Sequence, residues 1–321
     1  MARFAVLLLL ALVAGGPAAQ GFPVPGKPLR IVVPFPPGGQ TDIQARAMAP
    51  RLSSSLGVPV VVDNKPGGAT IIGVQDVMRS PPDGHTILYT ITATVALNPH
   101  LFARLPYDPA KHLTPVMFAG RSSTVLVAQA NAPFTSVREL IAYAKANPGK
   151  LNFGSFSPGS TGHLNGELLK QNSGIDIVHV PFKGSAEAMA ALLGGHIHLM
   201  FDGPITAIAN AKAGKVRMLA YADATRLAVL PDLPTVTEAG VPGVDIGAGM
   251  VFFGPAGMPR DVVGRVNAEL AAVLRQPEIT KLYVEGGTEV AASSPEELAR
   301  IVGDMSDRWG AIVRKLGIRL D

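Results

Sequence analysis

One local pattern recurs along this chain: a short β-branched run, a loop of small residues, then an amphipathic helix. Residues 29–33 read as a strand and 34–39 as a loop. Residues 40–56 read as a helix with Ile43, Ala47, Met48 and Leu52 on one face, stopped at Gly57. Further strands are expected at 58–62, 86–90, 125–129, 151–155, 177–180, 197–201 and 216–221. Further helices are expected up to Arg79, over 136–147 and 160–172, and over 261–275 and 295–315 in the C-terminal third. Such alternation predicts an α/β fold with mainly parallel sheets. No internal repeat and no low-complexity tract interrupts it. Chain crossings between two units are expected near 120–123 and again near 246–255.

The first twenty residues read differently. Arg3 precedes an apolar run from Phe4 to Ala14, and Gly15, Gly16 and Pro17 break it. That layout is a secretory signal peptide over 1–20, cleaved near 18–21. The run is too short for a membrane span, which takes about twenty residues. A chain with no cysteine holds no zinc-thiolate site, disulfide or thiol nucleophile, and lacks the residue a lipid anchor needs. A free periplasmic protein is expected. The length beyond the leader suits two domains. Hydrophobic content of 47% supplies real cores, so the 35 Gly and 28 Pro mark fixed turns rather than disorder. Without Arg3 there are 27 basic and 24 acidic side chains, spread with no Lys/Arg block. Nucleic acid is therefore not an expected partner, and anionic ligands are mildly favoured.

Two loops could carry chemistry. The first, Pro34-Phe35-Pro36-Pro37-Gly38-Gly39-Gln40-Thr41-Asp42, joins a strand to a helix start. Helix starts leave amides unpaired and carry partial positive charge. Glycines let a ligand approach that backbone closely. The second loop, from Gly154 to His163, has the same placement, with hydroxyls at Ser157, Ser160 and Thr161. Together they suit a carboxylate received by amides and hydroxyls. The alternative is that Thr41, Asp42, Ser160 and Thr161 are ordinary helix caps. Neither loop is GxGxxG, no GxxxxGK[ST] occurs, and no GxSxG marks a hydrolase nucleophile. His196 and His198 share a strand face, but with Asp202 as their one acidic neighbour they read as a solvated face rather than a metal site. No catalytic residue, metal or cofactor is expected.

With these loops the chain resembles, over nearly its whole length, the Bug-type receptors of tripartite tricarboxylate transporters. The matching residues begin with Lys27-Pro28-Leu29-Arg30-Ile31-Val32-Val33, the first loop through Gly39, Asp42, and Asn64-Lys65-Pro66-Gly67-Gly68. Pro81-Pro82-Asp83-Gly84-His85-Thr86, Asn98-Pro99 and Tyr107-Asp108-Pro109 follow, then His163-Leu164 and Gly166-Glu167. His179-Val180-Pro181-Phe182-Lys183-Gly184, Met200-Phe201-Asp202, Leu233-Pro234-Thr235-Val236, Glu238-Ala239-Gly240 and Pro255-Ala256-Gly257 complete the set.

The resemblance implies a two-lobed, flytrap-like periplasmic binding protein fold, each lobe a mainly parallel sheet flanked by helices. One lobe comprises 21–122 and 250–321, the other 123–249, with the ligand between them. It implies binding of a mono- or dicarboxylate by loop amides, hydroxyls and waters, for delivery by a monomer to membrane transporter subunits. A sensor system as recipient is the alternative, and a periplasmic hydrolase is the reading from another class. Carried onto this chain, the ligand-binding set is Phe35, Gly38, Gly39, Thr41 and Asp42 from the first loop. Ser155, Ser157, Gly159, Ser160, Thr161 and His163 come from the second. Asp202, the strand-end acid, Thr90 at the end of the third strand and Thr92 just after it complete it. One departure stands out: where the family carries a tryptophan, this chain has Gly249. Either the cleft is widened there, beside the adaptable Met250, or Phe252 and Phe253 refill the space.

Overall fold

The computed structural model describes residues 21–320, so the leader reading lies outside the described residues. The chain runs β1 (Leu29–Val33), α1 (Gln40–Leu56), β2 (Val60–Asn64), α2 (Ile71–Met78), β3 (Thr86–Ile91), α3 (Thr92–Ala96), α4 (Asn98–Leu101), α5 (Pro109–His112) and β4 (Leu113–Ser122). It continues through β5 (Val125–Gln129), α6 (Val137–Ala146), β6 (Leu151–Ser155), α7 (Thr161–Ser173), β7 (Ile177–Pro181), α8 (Ser185–Leu193), β8 (Leu199–Asp202), α9 (Pro204–Lys212) and β9 (Val216–Tyr221). It ends with β10 (Ala248–Pro255), α10 (Arg260–Leu274), α11 (Pro277–Glu285), β11 (Glu289–Val290) and α12 (Pro295–Leu316).

The strands form two sheets, in the orders β11-β4-β10-β3-β1-β2 and β7-β6-β8-β5-β9. The architecture is the expected two-lobed α/β fold, but the sheets are mixed rather than mainly parallel. β1 pairs parallel with β2 and β3, and β6 pairs parallel with β7 and β8. β10 pairs antiparallel with β3 and β4, and β5 pairs antiparallel with β8 and β9. The cause is the crossing of the chain. β4 leaves the first sheet and β5 enters the second two residues later; β10 brings the chain back alongside β4, in the opposite sense. A hairpin-like return of this kind can only pair antiparallel.

The parallel strands read as continuous apolar runs because both faces are covered: Ile31 and Val33 pack in one cluster and Val32 in another. α1 departs from its expected face. Ile43 and Ala47 are only half-buried, while Gln40, Thr41, Gln44, Ala45, Met48 and Leu52 face inward. Polar residues occupy the inner face because α1 starts at the junction of the two sheets, where Gln44 serves Tyr89 and Thr288. α12 is strongly two-faced, with Leu298, Trp309 and Val313 buried against the first lobe. Fully burying each such side chain contributes about 1.5–3 kcal/mol. Among the described residues no helix is long and apolar enough to cross a membrane.

Gly249 does not face the cleft. Along β10, Ala248 and Met250 line the space between the sheets, while Val251 and Phe253 pack with Phe118 in the cluster on the opposite face. A Cβ at Gly249 would fall on the Phe118 ring, 2.5 Å from Cζ. The missing aromatic is therefore replaced from the neighbouring strand β4. It is not replaced by Phe252, which stacks on Tyr89 at 4.3 Å, and the cleft is not widened.

Candidate functional site

A narrow cleft of about 50 Å³ lies where the two sheets meet. One wall carries Phe35, Pro36, Gly39, Gln40 and Thr41 from the first loop and the start of α1, with Ile91, Ala248 and Met250 behind them. The other carries Phe156, Thr161, Ser185, Asp202 and Gly203. Ser123 and Thr124, between β4 and β5, join the walls. Four helices begin here: α1, α7, α8 and α9 all present residues of their first turn or cap. Their unpaired amides and partial positive charges converge on one space. Among the described residues no Arg, Lys or His lines it, and Asp202 is its one ionisable residue. Larger depressions beside Arg121 (350 Å³) and beside α12 (460 Å³) lack this convergence.

The first loop is braced from behind. Gly38, at φ +88°, takes a left-handed conformation that favours glycine. Its N–H donates to Asp42 at 2.9 Å. Arg46 Nε donates to the same carboxylate at 2.9 Å and Asn64 Nδ2 at 3.0 Å. Burial works to raise the Asp42 pKa, but Arg46, the Gly38 amide and Asn64 together hold it below the usual range. Asp42 is thus a bracing anion outside the cleft. Gly38 likewise spends its amide on the brace.

The second loop has the same logic. Ser160 caps α7, accepting from the His163 N–H at 3.3 Å. The Gly159 N–H donates to His163 Nδ1 at 3.2 Å, and a Cβ at Gly159 (φ +73°) would lie 2.8 Å from Leu101 Cδ1. His163 stacks on His179 at 4.0 Å, and His179 Nε2 meets Ser155 Oγ at 2.8 Å. Ser155 Oγ donates to Ser157 O, and Ser157 Oγ donates to Pro158 O. Thr90 and Thr92 are also engaged: Thr90 Oγ1 bonds Thr94 Oγ1 at 2.7 Å, and Thr92 Oγ1 accepts from the Gly249 N–H at 3.1 Å. His198, considered for a metal, is tied to Asn152.

Of the residues expected from sequence, the structure therefore brings Phe35, Gly39, Thr41, Thr161 and Asp202 to the cleft. It places Gly38, Asp42, Thr90, Thr92, Ser155, Ser157, Gly159, Ser160 and His163 in the walls, with their polar atoms used in bracing. Sequence reading missed Gln40, Ser123, Thr124, Phe156 and Ser185, while Met250, considered there only as Gly249's neighbour, does line the cleft. Gln40 was legible in principle, since the first residue of a helix that follows a Gly-Gly loop must sit at its mouth.

The electrostatics divide the cleft. Asp202 accepts from Ser185 Oγ at 2.6 Å and from Thr206 Oγ1, and so occupies the starts of α8 and α9. Burial pushes its pKa up to about 6, against those two hydroxyls and the Gly203 amide. The starts of α1 and α7 have no such anion inside the cleft: α7 has no acid in its first turn, and the acid of α1 is turned away to Arg46. Among the described residues two buried side-chain atoms lack a hydrogen-bond partner: Thr161 Oγ1, at the start of α7, and Gln40 Oε1, which reaches from α1 toward Gly203 at the start of α9. Leaving such atoms unpaired costs about 1–3 kcal/mol each.

The chain as a whole is similar to proteins of known family and structure. The TctC sequence model, described as the tripartite tricarboxylate transporter family receptor, matches residues 44–318. Three solved structures share 31–36% of their sequence with the chain. The R. palustris protein Rpa4515, solved with adipate, superposes with a TM-score of 0.89 at 36% identity, over 93% of this chain and 99% of that one. The periplasmic binding protein BugD gives 0.88 at 32% identity, over 92% and 99%. MatC from Rhodopseudomonas palustris, with bound malate, gives 0.85 at 31% identity, over 91% and 100%. On the match along most of its length, the chain belongs to the tripartite tricarboxylate transporter receptor family, whose members are solute-binding proteins rather than enzymes.

Proposed function

We propose that this chain captures a mono- or dicarboxylate in the periplasm and hands it to the membrane subunits of a tripartite transporter. One observation carries the reading: the anion-free starts of α1 and α7 converge on the unpartnered Thr161 hydroxyl in a cleft that, among the described residues, no cation lines. Two helix starts and a hydroxyl offer a carboxylate several donors at once, without a charged side chain. Apolar walls from Phe35, Phe156, Ile91 and Met250 would enclose the rest of the ligand. The carboxylates named for two structural neighbours support the choice of ligand class. The lobes we assign are 21–122 with 250–321, and 123–249; the leader is removed on export, near residues 18–21.

The test is calorimetry with a panel of mono-, di- and tricarboxylates. One-to-one binding is expected, with the ligand recovered unchanged. Thr161→Val, which keeps the shape and removes the hydroxyl, is expected to weaken binding by about tenfold or more, the loss of a hydrogen bond to a charged group. Turnover of the ligand, or full affinity in a folded Thr161→Val protein, sinks the reading.

Closure of the lobes is testable separately. A Cβ at Gly203, in the second lobe, would run into Gln40 Oε1 of the first and lie 3.3 Å from the Gln40 Cβ. Gly203→Val is therefore expected to fold but to hold the walls apart. Small-angle scattering should show ligand shrinking the radius of gyration of the wild-type protein and not of the variant; equal compaction in both would show that closure does not use this contact.

A further inference from the structure

Gln40 is the first residue of α1, and its side chain is held at both ends of its amide differently. Nε2 donates to Thr288 Oγ1 at 3.1 Å and to Ser122 Oγ at 3.3 Å. Thr288 is fixed in turn by Gln44 Nε2 at 3.0 Å, and Gln44 by Tyr89. This buried network pins the nitrogen against the first lobe. Oε1 is left on the cleft side, against Gly203, buried and without a partner. Gln40 is 8% exposed and Thr161 is 1% exposed, so neither orphan atom is a surface group awaiting bulk solvent.

The two orphans differ in kind. Thr161 Oγ1 carries a proton and can donate to a carboxylate. Gln40 Oε1 can only accept. The adjoining wall adds another acceptor, since Asp202 precedes Gly203 and already takes two hydroxyl protons. A plain carboxylate brings only acceptors at neutral pH. It would satisfy Thr161 and leave Gln40 Oε1 unpaired, facing added negative charge. A ligand with a hydroxyl group near its carboxylate satisfies both.

We propose that Gln40 is a specificity-determining residue that selects a hydroxy-carboxylate over the same acid lacking the hydroxyl. The inference rests on the carboxylate-binding reading above and narrows it. Rejection follows from the principle that a site built to bond a ligand hydroxyl leaves a buried group unpaired when the hydroxyl is missing. Ser122 and Thr288 act as positioning residues, because they decide which amide atom faces the ligand.

The experiment uses two matched pairs, malate with succinate and 3-phenyllactate with 3-phenylpropionate, so that small and bulky bodies are both sampled. Affinities are measured by calorimetry for the wild-type chain and for Gln40→Met, which keeps the length and removes the acceptor. Urea melts confirm that the variant is folded. The wild-type protein is expected to bind the hydroxylated member of at least one pair roughly tenfold more tightly, the scale of one buried hydrogen bond. In Gln40→Met that ratio is expected to fall to about twofold or less. A second variant, Thr288→Val, should lower the ratio by releasing the amide. Two results overturn the proposal: plain acids binding as well as their hydroxylated partners, or a preference that survives in Gln40→Met. If none of the four acids binds, and the wider panel also fails, the carboxylate reading falls with it; if the plain acids bind equally well, only the Gln40 inference falls.

Discussion

Gly249→Trp is expected to leave no folded protein, although this is the residue type the family resemblance leads one to expect at that position. The reason is local. Gly249 pairs with Arg121 of β4 and sits beside Phe118, whose ring already fills the cell that a side chain from β10 would use. Even a methyl group would lie 2.5 Å from Phe118 Cζ and 3.3 Å from the Gly120 carbonyl. Phe118 is buried among Val251, Phe253 and Leu88, so it cannot swing aside without displacing them. Overpacking by a few atoms costs about 1–3 kcal/mol. An indole asks for several times that, which exceeds much of the roughly 5–15 kcal/mol that holds a domain together. Gly249→Ala should fold and lose about 2–3 kcal/mol in a urea melt. The decisive variant is Gly249→Trp combined with Phe118→Ala, which moves the aromatic from one strand to its neighbour. Recovery of folding in that double variant, with a large coupling energy, is the expected outcome. A stable Gly249→Trp single variant would show that position 249 opens onto free space.

That position also shows where sequence reading stops. The glycine was visible, and so was the expected aromatic; the compensating residue was not, because Phe118 is far from it in sequence and meets it only through the β4–β10 ladder. The elements that came through cleanly were those with local signals. α1 was bounded by its Gly-Gly loop and by Gly57, which caps it in the left-handed conformation. β5, β6 and β9 were bounded by apolar runs between turns. β2 begins two residues later than its apolar run predicts, because Val58 and Pro59 extend that run ahead of the strand. β4 is not legible in the sequence, since Pro115 and Gly120 break its pattern while the β10 ladder holds it. α8 and α9 are not legible in the sequence because each has only 9 residues, too few for its apolar positions to stand out as a helical period. At the cleft, sequence identified both loops but could not separate the groups that face the ligand from those that brace the loops. Ser160 and Thr161 are adjacent hydroxyls at one helix start, yet one is spent as a cap and the other is free of partners. Only the direction of each side chain distinguishes them.

Acid is expected to loosen the second lobe, and the stacked pair His163 and His179 is the expected cause. Burial holds His163 down to about 3, with His179 adding to the effect, and holds His179 down to about 4, with Lys170 adding to the effect. Their bonds demand neutral rings: His163 Nδ1 accepts the Gly159 N–H, and two imidazolium rings could not stack at 4.0 Å without strong repulsion. The unfolded chain protonates both near 6.5. A group whose folded pKa is depressed contributes stability above its unfolded value and loses it as pH falls. The window here runs from 6.5 down to about 3. Asp202 works in the opposite sense. Its pKa of about 6 lies above its ordinary value, so its protonation between pH 6 and 4 favours the folded state and offsets part of the loss. After that offset a net loss of about 2–4 kcal/mol between pH 6.5 and 4 is expected. Urea melts at half-unit steps of pH should show it. His179→Phe keeps a ring against His163 and removes one titration while the Asp202 offset stays, so it should remove most of the slope. Asp202→Asn should steepen it. In the folded protein both rings stay neutral until pH nears about 4, so the Gly159 amide stays held and ligand affinity should fall through this pair only below that point, later than stability does. Stability that is level from pH 7 to 4.5, or a slope unchanged in folded His179→Phe, would remove the pair from this role.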